Sequence, residues 1–249
     1  MRLTNTTSER QRLQIKGLLL TAALVVAASR GAMADTKRGV ATPLDALAGT
    51  AAIVEGSVKG FTYTFDPAAG PRTVATLSDI VTDFGSYRGS TLDIATLGGP
   101  INDKQGLFIP ELPRLTDGTR YLVFLNNIDW FFSPVVESYV FRLEPGPNGA
   151  EVLIAPSGHA VVSLSSAGIE FTPDPVVDTH LDFLTPTAKL PLLDTASKQL
   201  AAAMSKDLFL ATVGRLLTTT PLQGVFSPTP DTTRVWNKFD TVVETAPLR

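Results

Sequence analysis

Between residues 51 and 172 the sequence breaks into short β-rich runs, and no stretch there carries the three-and-four apolar spacing of an amphipathic helix. The runs are AAIVEGSV (51–58), FTYTF (61–65), RTVATLSDIV (72–81), STLDIATL (90–97), RYLVFL (120–125), ESYVFRL (137–143), EVLIA (151–155), AVVSL (160–164) and IEF (169–171). Several alternate apolar and polar residues at period two, the pattern of a half-buried antiparallel strand. In the second run Phe61, Tyr63 and Phe65 fall on one face and Thr62 and Thr64 on the other, so the aromatic face is expected to be core. Asp117-Gly118, Pro147-Asn148-Gly149 and Ser157-Gly158 supply turn chemistry between runs and point to a meander. Strands that follow one another without crossover helices disfavour a doubly wound sheet. The expected class is mainly β: a closed or nearly closed antiparallel barrel, or a sandwich.

After residue 172 the texture changes. Pro173, Pro175, Pro186 and Pro191 mark an irregular crossing, and helical spacing then begins. Asp194 is expected to cap a helix over 195–204, and Ser205 one over 206–217, with Asp207 in the first turn where the helix dipole favours a negative charge. Leu200, Met204, Leu208, Phe209, Val213 and Leu216 or Leu217 recur at three and four and are expected to pack this cap on the barrel. The expected organisation is a signal peptide at 1–34, a leader without periodic structure at 35–49, a β-barrel domain at 50–172, a proline-rich crossing and helical cap at 173–220, and a weakly ordered tail at 221–249.

The signal-peptide reading rests on order. Arg2, Arg10, Arg12 and Lys16 stand against Glu9 alone, the uncharged run GLLLTAALVVAA follows, and the small-residue triplet Ala32, Met33, Ala34 provides a cleavage site. That run is shorter than the ~20 residues a membrane-spanning helix needs, which disfavours an uncleaved membrane helix. No Arg-Arg pair precedes it, so the general secretory route is expected, with a periplasmic or extracellular product.

Removing that segment takes five basic residues and one acidic residue from the chain's 21 and 24, leaving 16 basic against 23 acidic side chains, a formal charge of −7. Such a charge argues against nucleic acid as a partner. The chain has no cysteine, which excludes disulfides, thiolate metal sites, thiol nucleophiles and a lipoprotein anchor. Neither is an integral membrane segment expected after residue 34.

Ala52-Ile53-Val54-Glu55-Gly56-Ser57-Val58, the long strand at 72–81, the Gly98-Gly99 pair and Pro113-Arg114-Leu115-Thr116-Asp117-Gly118-Thr119-Arg120-Tyr121-Leu122-Val123-Phe124-Leu125 stand in a recognisable order. This order resembles that of uncharacterised exported bacterial proteins with a V-x-G-x-V strand, a long strand, a GG turn and a P-x-F/L-x-x-G-x-x-Y-L-x-F-L segment. Phe209-Leu210-Ala211-Thr212-Val213 resembles the short helix that closes such chains. The strand order is also similar to the OB-like barrel of netrin-type modules and tissue inhibitors of metalloproteases. The resemblance implies an OB-like barrel; it does not carry over protease inhibition, which in those inhibitors depends on an N-terminal cysteine absent here.

No G-x-S-x-G elbow, S-x-x-K pair, H-E-x-x-H helix, phosphate loop or dinucleotide fingerprint occurs. His159 and His180 are the chain's two histidines, so a Ser-His-Asp hydrolase would have to use one of them. Asp178, His180 and Asp182 alternate and would share one side of an extended segment, a donor set able to hold a divalent metal; charged residues facing water between two prolines is the simpler account. In NNIDWFFSP (126–134) three consecutive aromatics cannot all point inward from one strand. Trp130, Phe131 and Phe132 are therefore the candidate binding residues, with burial over a barrel end as the competing account.

The expected function is that of an exported non-enzymatic binding protein for a protein, glycan or envelope component, with no cofactor, no metal and no catalytic residue assigned. The alternative is a periplasmic, metal-assisted hydrolase around Asp178, His180 and Asp182 or around His159.

Overall fold

The computed structural model describes residues 42–66, 70–102, 105–107, 112–126, 135–179 and 190–222. Helix α1 (Pro43–Gly49) comes first, in the segment that reads from sequence as a leader into the fold. Its start is a capping box: Thr42 Oγ1 accepts from the Asp45 amide and Asp45 Oδ2 accepts from the Thr42 amide, both at 3.2 Å. Pro43 occupies the first helical position, where its missing N–H costs nothing. The signal T-P-L-D was legible, but a seven-residue helix is too short to show a period.

Ten strands follow: β1 (Thr50–Asp66), β2 (Gly70–Gly85), β3 (Leu92–Leu97), β4 (Gly99–Asn102), β5 (Gln105–Leu107), β6 (Arg120–Asn126), β7 (Val135–Pro145), β8 (Glu151–Ile154), β9 (Val161–Leu164) and β10 (Ile169–Phe171). Six form one antiparallel sheet in the order β3-β2-β1-β6-β7-β8, and β9–β10 and β4–β5 are two-stranded ladders. The runs at 51–58 and 61–65 are thus one 17-residue strand, continuous because Lys59-Gly60 bends it without breaking the β1–β2 ladder. The β1–β2 register shifts three times, at Ile53/Val54, Glu55/Ser57 and Val58/Gly60. Each shift increases local twist and coils the ribbon. β6 pairs with β1 only from Thr50 to Ser57, so the outer half of the β1–β2 hairpin extends past it.

Both faces of this sheet are covered, which is why Ala51, Ala52, Ile53 and Val54 are all fully buried rather than alternating. One face carries Ile53, Leu122, Phe124, Tyr139, Phe141 and Leu153 against Leu47 of α1 and against Phe209 and Val213 of the last helix. The other gathers Val54, Val58, Leu77, Ile94, Leu115, Tyr121, Val123 and Val140; among the described residues no helix contributes to it. A third cluster joins Val152 and Ile154 of β8 to Val176, Val177 and Leu190 of the crossing and to Leu200, further along the chain.

Two helices close the described chain, α2 (Ala196–Ala201) and α3 (Lys206–Leu217). The cap of α2 differs from expectation: Thr195, not Asp194, is its N-cap and makes no side-chain cap bond, and the helix stops at Ala201. Its end is drawn off by the sheet, for the Met204 amide donates to Val161 O at 2.7 Å. Ser205 caps α3 as expected, accepting from the Leu208 amide at 3.3 Å. The apolar stripe needs one correction. Phe209 and Val213 are buried, whereas Leu208 is 51% exposed, because the buried face of α3 is centred on Phe209, Thr212 and Val213. Among the described residues no helix is long and apolar enough to cross a membrane.

Phe61 and Tyr63 share a face and stack with centroids 6.5 Å apart, but both are only half-buried. They sit on the part of β1 beyond β6, where fewer layers cover them. The Phe65 side chain lies outside the described ones.

Candidate functional site

Glu55 is the most constrained charge on the helix-covered face. It follows Ile53 at period two on a strand whose neighbours are apolar, so the fold carries its carboxylate under α3, where it is 2% exposed. A buried carboxylate requires charged partners, and four elements supply the surrounding groups. Lys206 Nζ, at the start of α3, donates to Glu55 Oε1 at 2.9 Å and to Glu151 Oε2 of β8 at 2.6 Å. Arg120 of β6 donates through Nη1 to Glu151 Oε1 at 2.9 Å and through Nη2 to Glu55 Oε2. Two cations thus bridge two carboxylates in a closed ring.

A fifth ionisable group breaks the balance. Asp83 of β2 lies beside Glu55, half-buried, and its Oδ2 is enclosed without a hydrogen-bond donor among the described residues. Burial, and then the neighbouring Glu55 charge, push its carboxyl up to about 6, against the pull of Lys206 and Arg120. For Glu151 burial raises the carboxyl, but the Lys206 hydrogen bond and the Arg120 and Lys206 charges outweigh it and hold it below its ordinary value. For Lys206 burial lowers the ammonium, yet the bonds to Glu151 and Glu55 outweigh that and hold it above its ordinary value.

The opposite side holds a second polar group. Arg142 and Glu144 of β7 are both buried; Arg142 Nε donates to Glu144 Oε1 at 2.7 Å, its Nη2 donates to the same oxygen, and its Nη1 donates to Leu190 O at 2.9 Å. The guanidinium thereby pins the crossing to the sheet. Nearby Tyr121 Oη accepts from the Thr116 amide at 3.0 Å, and burial raises its phenol. Tyr121, Arg142, Pro113, Arg114, Gly158 and Leu190 are among the residues that border a small cleft open to solvent.

Of the residues singled out from sequence, Trp130, Phe131 and Phe132 lie outside the described residues, as do His180 and Asp182. The connection holding the aromatics is placed at its ends: Leu125 of β6 pairs with Val135 of β7, at the end of the sheet where Thr50 enters β1. His159 is half-buried, and its Nδ1 meets Thr172 O at 2.8 Å, a bond that ties the start of β9 to the end of β10. As a donor there the ring keeps Nε2 unprotonated in the neutral form. Among the described residues no three His, Asp or Glu side chains are grouped to hold a metal. No family model, curated protein or solved structure matches the chain.

The residues that sequence reasoning missed are Glu55, Asp83, Arg120, Glu151 and Lys206. One signal was available: in AAIVEGSV a glutamate holds an inward position of an apolar strand, and a charge in that phase demands a partner elsewhere in the chain. The partners themselves are spread over four elements, which no local pattern announces.

Proposed function

We propose that this chain is an exported, non-enzymatic binding protein built on an OB-like barrel, with the β6–β7 connection as its contact element. The observation that carries this reading is the Leu125–Val135 pairing. It makes the segment with Trp130, Phe131 and Phe132 the connection between two neighbouring strands of the six-stranded sheet. Phe124, Tyr139, Phe141 and Phe209 fill one face of that sheet ring to ring, at 5.1 Å between Phe124 and Tyr139 and 5.5 Å between Phe141 and Phe209. Three consecutive aromatics on a connection between strands suit recognition of a protein, glycan or envelope component.

Support for the barrel comes from the coiled ribbon and from the face that, among the described residues, is lined by five strands and Leu115 without a helix. The described strand pairings leave β3 and β8 at opposite edges of the sheet. Closure would have to come through residues outside those pairings. Export follows from the order of the first 34 residues.

The test uses the full chain with Trp236→Phe, leaving Trp130 as the sole indole. Red-shifted emission quenched freely by acrylamide is the expected result. Emission that is blue-shifted and protected from the quencher makes Trp130 core and overturns the connection as the contact element. A second variant removes all three rings together, Trp130→Ala, Phe131→Ala and Phe132→Ala. The melting temperature is expected to move by less than about 4 °C, against the loss of ~3 to 5 kcal/mol for each ring if they are core.

A further inference from the structure

Two carboxyl groups that face one another at the edge of a protein core have no donor between them unless one keeps a proton. That is the arrangement of Glu55 and Asp83. Both lysine and arginine bonds go to Glu55 oxygens, whereas Asp83 Oδ2 is enclosed with no donor among the described residues. With Asp83 neutral, the five groups hold two positive and two negative charges, and the carboxyl proton has Glu55 as its acceptor. With Asp83 ionised, the same space holds a third negative charge. A like-charge pair in partial burial is destabilised far more than in water.

The element most exposed to that change is α3. Lys206, at its start, is held to the sheet by Glu55 and Glu151, and it is among the charges that act on Asp83. Phe84, next to Asp83 in β2, packs on the same helix: a Cβ built on Gly214 would lie 3.6 Å from the Phe84 ring. The charged groups that face Asp83 are Glu55 from β1, Arg120 from β6 and Lys206 from α3, with Glu151 of β8 joined to them through both cations. Here the helix dipole adds to the ring of charges, since the positive end of α3 lies at Lys206 and favours retaining carboxylates beneath it.

We propose that the Glu55–Asp83 carboxyl pair is a proton-operated latch for α3: a proton held between the two carboxyls keeps the helix docked on the sheet, and losing it at neutral pH loosens the docking. The direction follows from linkage. Undocking exposes Asp83 to water, where its carboxyl returns toward its ordinary range, so the docked state binds the proton more tightly and acid favours docking. An elevated carboxyl in the docked state, about 6, places the switch inside the range an exported protein meets. The inference does not depend on the contact role proposed for the aromatic connection.

The experiment is amide hydrogen exchange of the full chain between pH 4.5 and pH 7.5, corrected for the intrinsic pH dependence of exchange. Protection of the α3 amides, Phe209 to Leu217, is expected to fall at least about tenfold as pH rises from 4.5 to about 6 and to level off above it, because each unit of pKa difference is a factor of ten in the opening equilibrium. Protection in β6 is expected to exceed that of α3 throughout and to fall only with global stability over the same range. In Asp83→Asn the α3 profile should be flat and remain at its acid value. A wild-type α3 profile independent of pH, or the same pH dependence in Asp83→Asn, overturns the latch. Should the variant fail to fold, carbon-13 titration of the wild-type carboxyls decides: a midpoint for Asp83 well above the ordinary carboxylate range sustains the latch, and one near 4 overturns it.

Discussion

Lys206 donates to the buried Glu55 across 2.9 Å and so fastens the first turn of the last described helix to the middle of the longest strand. The pair is unequal in exposure, 16% for the lysine side chain and 2% for the glutamate, so most of the desolvation falls on Glu55. Removing one member of a buried pair generally costs ~3 to 5 kcal/mol because the other charge is left without compensation. Here Arg120 still serves the second Glu55 oxygen. Lys206→Met, which keeps the apolar stem, is therefore expected to cost about 2 kcal/mol, read as a lowered urea midpoint at unchanged m. An unchanged midpoint would reduce the contact to an ordinary surface pair.

The same cluster sets an unusual pH profile for stability. Asp83 is raised from 3.8 to about 6 in the folded chain, so between those values the native state binds more protons than the unfolded state. Stability must then fall as pH rises through that window and stay level above it. Glu151 has the opposite sign: held below its ordinary 4.5, it contributes stability that is lost as pH falls through its folded value. The melting temperature is expected to be highest near roughly pH 4 to 4.5, to fall as pH rises to about 6, to stay level from there to about pH 7.5, and to be lower again near pH 3. Asp83→Asn is expected to raise the value at about pH 7.5 and leave that at about pH 4 nearly unchanged; calorimetry across the range checks both.

Gly85 ends β2 opposite Ala52, with φ of +77°. A Cβ there would lie 2.9 Å from Ala52 Cα and closer still to Ala51 O, both parts of a strand buried on two sides. Neither backbone atom can move without shifting the β1–β6 ladder. Gly85→Ala therefore combines a left-handed conformation with a rigid clash and is expected to cost about 3 kcal/mol or more. Its check is thermal unfolding by circular dichroism, where a loss within 1 kcal/mol would mean the bulge relaxes.

Asp79 is the non-glycine residue with positive φ, +56°, among the described residues. It sits where Asp79 and Ile80 of β2 together oppose the single Gly56 of β1, an extra residue that turns the ribbon. Ser78 Oγ donates to its carboxylate at 3.1 Å, a local bond that helps an aspartate tolerate this conformation. Asp79→Gly is expected to stabilise by about 0.5 kcal/mol and Asp79→Val to destabilise by more than about 1 kcal/mol, because a β-branched side chain is a true outlier there. Chemical denaturation of the two variants side by side gives the sign of each.

Strands were the legible part of this chain, and the reason is physical. Period two along RYLVFL, ESYVFRL and EVLIA reports a sheet with two distinct faces, and Ser205 reports a helix start through its own side chain; both signals are local. Long-range facts left weaker traces. That 51–58 and 61–65 form one strand depends on the pairing of Phe61 with Ala75 across the hairpin, which the intervening Lys59-Gly60 conceals. The crossing was legible as an interruption, but what anchors it, Arg142 bonded to Leu190 O, is a contact between residues far apart in the chain. The charge cluster announced only its first member, Glu55.

The docking of α3 offers the plainest contrast between pattern and packing. Leu208 and Phe209 are adjacent and both fit a stripe with three-and-four spacing, yet one is 51% exposed and the other is fully buried. Phe209 meets Phe141 at 5.5 Å and Phe124 at 6.4 Å, edge to face, and thereby joins the helix to two strands. Phe209→Ala is expected to cost ~3 to 5 kcal/mol through lost transfer energy and the cavity left between helix and sheet. Leu208→Ala is expected to stay within about 0.5 kcal/mol of wild type. Urea midpoints of the two variants decide which phase of the helix faces the core: equal losses would place both leucine and phenylalanine against the sheet, and a reversed order would mean that α3 is rotated by one residue.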